Sequence, residues 1–478
     1  MSYTEVKARA EAAGQGHIFQ FYDDLSADEQ RELVESAEKI EFDSVNTYFQ
    51  RVLPSLGASK EADVPAKADR SLKPLSKQMT SRSFSDIKEA MNERQKWLKS
   101  GLTAIGQGEV AVVLLAGGQG TRLGSANPKG MFDVELPSGK SLFQLQGERI
   151  LKAQRLGNEH EGTNAQIMWY VMTSAPTHDA TVNFFEKNKF FGLEREQVVF
   201  FQQNTLPCLT LEGKIILEKP SKVATAPDGN GGLYRGLVTG GVLDDMKARG
   251  TKHIHAYCVD NVLVKPADPY FIGFSIERNA DTAAKVVPKS APQEKVGVLC
   301  QTADGFKIVE YSEIETRLTE LRNKDGDLLF DAGNIANHYF TMDFLEDVCT
   351  KHRETLTHHI ALKKIPTIDE KKEATKLDGM KLELFIFDIF QFSERLAVYY
   401  VNREDEFSPL KNAAGAADGT SKHCREDLLS LHARWLKRAG ARLEEGAEVE
   451  VSPLKSYDGE GLASVKGQTF TGTNHLDE

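Results

Sequence analysis

The chain has 478 residues, of which 40% are hydrophobic and 27% are charged, with 38 glycines and 16 prolines. This composition excludes collagenous and disordered proteins, and at roughly 100–200 residues per domain the length indicates two to four folded domains. The 59 basic and 70 acidic residues give a net charge of −11, which disfavours bulk binding to nucleic acid or to an acidic membrane.

Signals for export, membrane insertion and disulfides are weak. The longest apolar run, residues 110–116, is far shorter than the roughly 20 residues that span a bilayer. The polar, partly acidic residues 1–15 match neither a signal peptide nor a transit peptide. The five cysteines are scattered and contain no C-x-x-C pair, which argues against a disulfide framework or a zinc site. We therefore expect a cytoplasmic protein without a membrane segment.

Residues 1–105 are predicted to form a helical N-terminal domain without chemistry of its own. Ser26-Ala-Asp-Glu29 is a capping-box pattern, and Leu33, Ala37 and Ile40 follow at helical spacing. The prolines from Pro54 to Pro74 then predict a long irregular connection.

Residues 106–400 have the pattern of an α/β domain, because short apolar runs alternate with helix-length segments. The strands are predicted at 110–115, 167–172, 198–201 and 253–259. The helices are predicted at 142–155, 177–188 and 233–248. Polar or glycine-rich groups follow each strand: Gly117-Gly118, Thr173-Ser174, Gln202-Gln203-Asn204 and Asp260-Asn261. Ligands of open α/β sheets bind beyond the carboxyl ends of the strands, so these groups should converge on one crevice.

Further apolar runs at 284–287, 296–300 and 306–311 predict an antiparallel annex that covers this crevice. Residues 401–478 are predicted to be a small C-terminal domain with a helix at 428–439.

The segment from Leu115 to Gly124 is a glycine-rich loop directly after the first strand. Backbone N–H groups in such a loop can surround a phosphate. A dinucleotide fingerprint is disfavoured because Leu123 stands where its third glycine belongs. A Walker A motif at Gly139-Lys140-Ser141 is disfavoured because Val134 replaces its first glycine, so that segment is predicted to be a β-turn.

Charged residues beside the loop point to phosphoryl chemistry. Arg122 and Lys129 place two cations next to the predicted phosphate site, where they can neutralise a leaving pyrophosphate. Asp260 ends an apolar strand at the same crevice, where a carboxylate can hold Mg²⁺; the alternative is a simple Asp-Asn turn. The string Gly229-Asn-Gly-Gly232 can approach a base or sugar, or can be a helix N-terminal turn capped by Asp228 or Asn230.

The string from Leu115 to Pro128-Lys129, with Gly118, Gly120 and Thr121 inside it, resembles the signature of the sugar-phosphate nucleotidyltransferases. Four further strings resemble the eukaryotic UDP-N-acetylglucosamine pyrophosphorylase family: Ala226-Pro-Asp-Gly-Asn-Gly-Gly232, Cys258-Val-Asp-Asn261, Asp331-Ala-Gly-Asn-Ile-Ala-Asn337 and Arg403-Glu-Asp-Glu-Phe-Ser-Pro-Leu-Lys-Asn412. The resemblance covers residues 100–436, is looser in the N-terminal layer, and includes no motif in the last forty or so residues.

The resemblance implies a Rossmann-like, GT-A-like nucleotidyltransferase domain with a mixed sheet. It implies Arg122, Lys129 and Lys411 as catalytic residues and Asp260 as the ligand of Mg²⁺. It implies that the substrates are bound by Leu115, Gly117, Gly118, Gln203, Gly229, Asn230, Gly297, Glu310, Asn334 and Phe387. In this assignment Gln203 and Gly229 contact uracil, Gly297, Glu310 and Asn334 line the sugar pocket with Asn230, and Phe387 forms a pocket wall. Without the resemblance, Gln203 and Lys411 would be surface residues and 384–387 a core strand.

The function implied by the resemblance is Mg²⁺-dependent transfer of a uridylyl group from UTP to N-acetylglucosamine 1-phosphate, with release of pyrophosphate. One alternative is a UDP-glucose or broad-specificity UDP-sugar pyrophosphorylase. Another is a catalytically inactive sugar-nucleotide sensor, which should lack a loop cation or the strand-end aspartate. N-acetylglucosamine and N-acetylgalactosamine are not distinguished. The expected partners are these small molecules alone, with no nucleic acid or membrane, and the chain should be a monomer or weak homodimer.

Overall fold

The structure, a computed structural model, describes residues 1–60, 72–82, 88–303 and 305–478. In chain order the described α-helices are α1 (Tyr3–Ala12), α2 (Ala27–Glu38), α3 (Phe42–Lys60), α4 (Lys88–Gly106), α5 (Leu142–Glu161), α6 (His178–Lys187), α7 (Leu233–Thr239), α8 (Val242–Ala248), α9 (Pro269–Glu277), α10 (Thr316–Thr319), α11 (Met342–Asp347), α12 (Arg403–Glu406) and α13 (Ser421–Arg438).

The described strands are β1 (Thr80–Arg82), β2 (Val110–Leu115), β3 (Met168–Thr173), β4 (Val198–Gln202), β5 (Thr205–Pro207), β6 (Leu209–Thr210), β7 (Leu217–Lys219), β8 (Lys222–Val223), β9 (Thr225–Pro227), β10 (His253–Cys258), β11 (Thr282–Pro288), β12 (Val298–Gln301), β13 (Phe306–Val309), β14 (Ala332–Thr341), β15 (His359–Ile368), β16 (Ala374–Glu383), β17 (Leu396–Tyr400), β18 (Arg442–Leu443), β19 (Glu448–Val451), β20 (Thr469–Phe470) and β21 (Thr473–Leu476).

The chain forms two compact units, each assembled from segments that are far apart in sequence. Unit 1 comprises the described parts of Met1–Ala68, Gln203–Arg235 and His352–Asp388. Unit 2 comprises the described parts of Asp69–Gln202, Gly236–Lys351 and Ile389–Glu478. This division into units does not test the predicted domain boundaries near residues 105 and 400, which remain predictions.

Unit 2 is built on a mixed sheet with the strand order β1-β17-β11-β14-β10-β2-β3-β4. β14 runs antiparallel to both of its neighbours, whereas the other neighbouring pairs in this order are parallel. β2 and β3 are buried along their whole length, as continuous apolar runs predict for central parallel strands. The predicted α/β fold with a mixed sheet is confirmed.

The prediction that 284–287 belongs to an antiparallel annex is wrong. This run is part of β11, which lies inside the main sheet because β14 and β17 pair with its two sides. The other two runs lie largely in β12 and β13, which pair antiparallel with each other and join the sheet where Val298 pairs with Gly333.

Capping residues and glycines determine where the helices of unit 2 begin, end and cross closely. The Ser141 hydroxyl accepts from the Gln144 amide at the start of α5, and Gly162 follows the helix with φ +68°. α4 and α9 cross closely, since a Cβ on Gly273 would lie 1.7 Å from the Trp97 carbonyl oxygen. The predicted helix at 233–248 is instead two helices, because Gly241 between them adopts φ +67°.

Unit 1 joins helices and strands in one core. Buried residues of α1, α2 and α3 pack with Leu209, Leu217 and Met380, which come from β6, β7 and β16. The predicted capping box of α2 is present. α3 continues through Pro54, so an irregular connection starting there is wrong; Val52 and Leu56 on either side are buried and hold the helix together. Residues 61–71 of that predicted connection lie outside the described residues.

The C-terminal segment packs as part of unit 2. α13 covers the predicted helix as far as Arg438, with Ala439 as its C-cap, and extends it back to Ser421, where Thr420 caps the start. β18–β20 and β19–β21 form two parallel pairs. Their apolar core also includes Val134 and Val262, so the segment supports the loops that follow β2 and β10. None of the helices in the described ranges is both long and apolar enough to cross a membrane.

Candidate functional site

Four strand ends of unit 2 lie along one edge of its sheet. β10, β2, β3 and β4 are consecutive neighbours and run parallel. The residues at or just after their carboxyl ends, Gly117, Ser174, Gln202 and Asp260, therefore share this edge. The predicted convergence is confirmed within unit 2, and Gln203 and Asn204 belong to unit 1.

The glycine loop after β2 folds back on itself. The Gly120 amide donates to the Asn127 carbonyl at 3.0 Å, and the Lys129 amide donates to the Gly118 carbonyl at 3.2 Å. From β3, the Ser174 hydroxyl donates to the Gly117 carbonyl at 2.7 Å. These bonds fix the loop and hold the backbone of Lys129 against it.

Several amide groups of the loop are left available. Within the described part of the chain, the N–H groups of Gly117, Gly118 and Gln119 donate to no acceptor. A Cβ on Gly118 would meet nothing within 4 Å, so open space lies against this backbone. Unbonded amides beside open space are what an anion-binding loop presents.

A cation and a carboxylate meet beside the loop. Lys129 Nζ lies 3.6 Å from Asp260 Oδ2, and both side chains are largely buried. Asp260 follows β10, the parallel neighbour of β2, which explains the proximity predicted for it. Arg122 is exposed and forms no ion pair among the described residues.

A second lysine reaches the same place from a distant part of the sequence. The Leu410 amide donates to the Asp260 carbonyl at 2.8 Å, so Lys411 directly follows a residue bonded to Asp260. The charges of Asp260, Lys411 and Lys129 all act on the Cys258 thiol. Burial first, and then Asp260, raise the pKa of Cys258 to about 12, against the opposing effect of the two lysines. The charges of Asp260 and of both lysines therefore act at the end of β10.

Gly297, Glu310 and Asn334 also come together in unit 2. The Asn334 amide donates to the Gly297 carbonyl at 2.8 Å, and a Cβ on Gly297 would lie 3.0 Å from Glu310 Oε1. Asn334 Oδ1 accepts from the Ala336 amide at 3.0 Å, where the backbone has φ +50°. This bond turns the strand locally, and the Asn334 NH₂ group donates to no acceptor among the residues that the structure describes.

In unit 1, the glycines of the 229–232 string are explained by close packing. Gly229 has φ +85°, and a Cβ there would lie 2.3 Å from the Leu384 carbonyl oxygen. The Gly231 amide donates to that carbonyl at 2.8 Å. A Cβ on Gly232 would lie 1.8 Å from Asp228 Oδ1. Glycine is therefore required here whether or not a ligand approaches.

The Asn230 side chain is hydrogen-bonded to the segment that contains Phe387. Asn230 Oδ1 accepts from the Ile386 amide at 2.9 Å, so neither it nor Asp228 caps the following turn. Asp388 Oδ2 accepts from the Phe385 amide at 2.7 Å. In a strand, the Ile386 and Phe385 amides would donate to a neighbouring strand. Here they donate to the Asn230 and Asp388 side chains, so the predicted strand at 384–387 is wrong. Residues Ile386–Phe392 form a 3₁₀-helix, in which Phe387 is buried.

Gln203 is half-buried, and its side-chain amide forms no hydrogen bond with the described residues of the chain. Both of its amide ends are therefore available to a ligand.

The Gly139-Lys140-Ser141 segment is a turn, as predicted. Gly139 has φ +65°. Lys140 Nζ is buried and pairs with Glu148 at 2.7 Å, which leaves no role for it at a phosphate.

Asp228, which the sequence indicates only as a possible cap, is a buried acid in unit 1. Its side chain is buried, and Oδ1 has no hydrogen-bond partner among the described residues. It lines a small cavity of about 20 Å³ together with Tyr48, Arg235, Glu354 and His358. Burial raises the pKa of Asp228 to about 7, against the smaller effect of Arg235. The sequence signal, an aspartate before glycine, is the same as that of an ordinary turn.

Asp228→Asn should become stabilising, relative to wild type, as the pH rises. The folded-state pKa of Asp228 is raised from 3.8, so ionisation costs stability progressively from about pH 4 up to about pH 7. Asn cannot ionise and avoids this cost, which amounts to at most about 4 kcal/mol. The Tm difference between variant and wild type should favour the variant more at about pH 8 than at about pH 5. Asp378→Asn, on the exposed part of β16, controls for the loss of one negative charge. A difference that is independent of pH would contradict the expectation.

Comparison with known proteins gives similarity along nearly the whole chain. Residues 44–443 match the family described as UTP–glucose-1-phosphate uridylyltransferase. UDP-N-acetylhexosamine pyrophosphorylase-like protein 1 of Mus musculus is 43% identical over 100% of this chain and 97% of its own. UDP-N-acetylglucosamine pyrophosphorylase of Saccharomyces cerevisiae is 41% identical over 98% of each chain. The crystal structure of the uridine diphosphate N-acetylglucosamine pyrophosphorylase of Trypanosoma brucei, in complex with an inhibitor, is similar with a TM-score of 0.86 at 30% identity, covering 100% of this chain and 99% of that one.

Proposed function

The chain belongs to the UTP–glucose-1-phosphate uridylyltransferase family, and we propose that it transfers the uridylyl group of UTP to N-acetylglucosamine 1-phosphate. The observation that carries this proposal is the Lys129–Asp260 ion pair at the end of β10, beside loop amides that donate to no acceptor among the described residues. The Leu410 amide bonds to the Asp260 carbonyl, which brings the backbone of Lys411 to the same strand end. The names of the yeast and trypanosomal relatives support the amino sugar as the acceptor.

The reaction is a displacement at phosphorus. A phosphate oxygen of the sugar 1-phosphate bonds to the α-phosphorus of UTP, the bond from this phosphorus to the bridging oxygen breaks, and the electron pair leaves with pyrophosphate. The attacking phosphate is already anionic, so no general base is needed. Catalysis then consists of alignment and charge neutralisation. The loop amides bind phosphate oxygens, Arg122 and Lys129 neutralise the leaving pyrophosphate, and Lys411 holds the sugar phosphate or the α-phosphate.

Asp260 fits a magnesium ion that the substrate helps to bind. In the described ranges, no three His, Cys, Asp or Glu side chains lie together as a metal site. Mg²⁺ in phosphoryl-transfer sites is commonly held by one or two carboxylates plus substrate phosphates, so a single carboxylate beside a phosphate loop suffices. Asp260 would hold the ion, which would supply positive charge to the phosphates. Lys129 Nζ also lies within ion-pair distance of this carboxylate, at 3.6 Å from Asp260 Oδ2.

Recognition of the base and the sugar is assigned to the remaining predicted residues. Gln203 and Gly229 read the uracil, and Gln203 can both donate and accept. Asn230 and Asn334 each use the side-chain oxygen within the fold, so each offers its NH₂ group to an acceptor on the substrate. Glu310 Oε1, beside Gly297, accepts from a sugar hydroxyl.

The first test is a pyrophosphate-release assay with UTP and a panel of sugar 1-phosphates. N-acetylglucosamine 1-phosphate should be turned over efficiently. Preference for glucose 1-phosphate would establish the alternative of a UDP-glucose or broad UDP-sugar pyrophosphorylase. No turnover of any sugar 1-phosphate, together with retained binding of a UDP-sugar, would establish the inactive sensor.

Asp260→Asn should raise the magnesium concentration needed for half-maximal activity by about tenfold or more. The amide keeps the shape of the side chain but removes the charge that attracts the cation. The measurement is the initial rate against magnesium concentration at saturating substrates. Asp244→Asn, an exposed residue of α8, is the matched control. An unchanged magnesium dependence, or full activity of wild type in excess chelator, would remove Asp260 from this role.

A further inference from the structure

Asn261 lies next to Asp260 but its side chain points away from solvent. It is only 3% exposed, and it follows the residue proposed to hold magnesium. A buried amide side chain is costly unless its donors and acceptor are bonded, so its partners identify what it does.

The Asn261 side chain bonds to the backbone of the segment that leads to Lys411. Its Nδ2 donates to the Glu406 carbonyl at 2.6 Å. Its Oδ1 accepts from the Ser408 amide at 2.9 Å and from the Leu263 amide at 3.2 Å. One side chain therefore joins the loop after β10 to the segment at 406–408.

Backbone bonds extend this connection as far as Lys411. The Val262 amide donates to the Ser408 carbonyl at 3.0 Å, and the Leu410 amide donates to the Asp260 carbonyl at 2.8 Å. The two segments thus run side by side, with Asp260 at the end of one and Lys411 at the end of the other.

The far end of the connection is itself fixed. The Glu406 carboxylate pairs with Lys285 Nζ at 2.7 Å and with Lys265 Nζ at 3.2 Å. Lys285 is completely buried in β11 and also pairs with Asp268. These ion pairs hold Glu406 in position, and with it the carbonyl that accepts the hydrogen bond from Asn261 Nδ2.

We propose that Asn261 is a positioning residue that sets Lys411 at the correct distance from Asp260. The inference rests on the proposed function, because it needs both of these residues to act on the substrates' phosphates. Asn261 touches neither substrate; it acts through the 406–410 segment. A misplacement of about 1 Å can lower a reaction rate by about 100-fold, so losing this connection should be visible in kinetics.

The experiment is a double-mutant cycle on the full-length enzyme, with Asn261→Ala, Lys411→Ala and the double variant. Asn261→Ala should lower kcat/KM for the sugar 1-phosphate by about 10- to 100-fold. If Asn261 acts through Lys411, adding Asn261→Ala to Lys411→Ala should cost less than about threefold more. The same loss in both backgrounds would overturn the inference, because a general loss of folded enzyme affects both equally.

Two further variants keep the result interpretable. Asn261→Asp preserves the shape and the acceptor for Ser408 and Leu263, but it replaces the donor to the Glu406 carbonyl by an oxygen and adds a negative charge at this buried position. It should lower kcat/KM in the same way, and wild-type kinetics for it would overturn the inference. Asn337→Ala, an equally buried amide that bonds to His255 in the sheet, is the control, which should lower Tm without lowering kcat/KM comparably.

The single variant Lys411→Ala tests the proposed function separately. If it has wild-type kinetics, the assignment of Lys411 fails and the inference fails with it. If it is impaired but the Asn261→Ala loss is independent of it, only the inference fails.

Discussion

Lys129→Ala should lower the turnover number by about 100-fold or more while changing the affinity for the UDP-sugar product much less. Negative charge develops on the pyrophosphate as it leaves, and a fixed cation stabilises this charge more in the transition state than in either bound state. Lys129 is fixed in this sense, since its amide bonds to the Gly118 carbonyl and its ammonium group pairs with Asp260. Pyrophosphate is absent from the product complex with the UDP-sugar, which explains the smaller effect on its binding.

Arg122→Ala should give the same kinetic result without a cost in stability. The Arg122 side chain is exposed and has no ion-pair partner in the described part of the chain, so removing it breaks no bond of the ligand-free protein. Lys129→Ala, by contrast, also removes the partner of Asp260. Comparing the two variants therefore separates the loss of transition-state stabilisation from the rearrangement of Asp260.

The measurements are kcat and KM for both substrates, the product inhibition constant and the Tm of each variant. Lys422→Ala, an exposed lysine on α13, is the control for the loss of one positive charge. Near wild-type turnover in both variants would remove these cations from the reaction. Equal losses in turnover and in product affinity would make them binding residues only.

Local sequence patterns predicted the parts of the fold that depend on local interactions. The apolar run 110–115 matches β2 to the residue, and Ser26 and Glu29 form the predicted capping box. Asp260 could also be placed beside the glycine loop, because strand ends in a parallel sheet lie at one edge. Lys411 could not be placed in this way, since its position depends on contacts with residues about 150 positions earlier, and only the family resemblance indicated it.

The predictions that the structure contradicts concern segments whose hydrogen bonds go to residues distant in sequence. The run at 384–387 is apolar enough for a strand, but its amides bond to Asn230 and Asp388. The run at 284–287 became an inner strand because β17, more than a hundred residues later, pairs with it. For the same reason, the sequence did not indicate that the side chains of Asp228 and Asn261 are buried. Asp-Gly and Asp-Asn are ordinary turn sequences, and only tertiary packing buries them.

Wild-type enzyme should use glucose 1-phosphate at least about 100-fold less efficiently than N-acetylglucosamine 1-phosphate. Asn230 and Phe387 are proposed to contact the acetamido group. The Asn230 oxygen is occupied by the Ile386 amide, so its NH₂ group must find its partner on the substrate. A substrate without the acetamido carbonyl leaves this donor unpaired, which costs more than the loss of an apolar contact alone.

Phe387→Gly should admit longer N-acyl groups without changing the phosphate chemistry. Phe387 is buried, and its ring centroid lies 5.1 Å from that of Phe385, so removing it opens space at the proposed pocket wall. The same change should destabilise the protein by about 3–5 kcal/mol, as large-to-small core substitutions do. The readout is therefore the ratio of kcat/KM values for a longer N-acyl analogue and N-acetylglucosamine 1-phosphate, because this ratio does not depend on the concentration of folded enzyme. Phe42→Ala, in the helical core of the same unit, should lower stability and leave the ratio unchanged. A ratio that also stays constant in Phe387→Gly would show that Phe387 is a core residue only. A wild-type preference for glucose 1-phosphate would show that this sugar phosphate, and not N-acetylglucosamine 1-phosphate, is the acceptor.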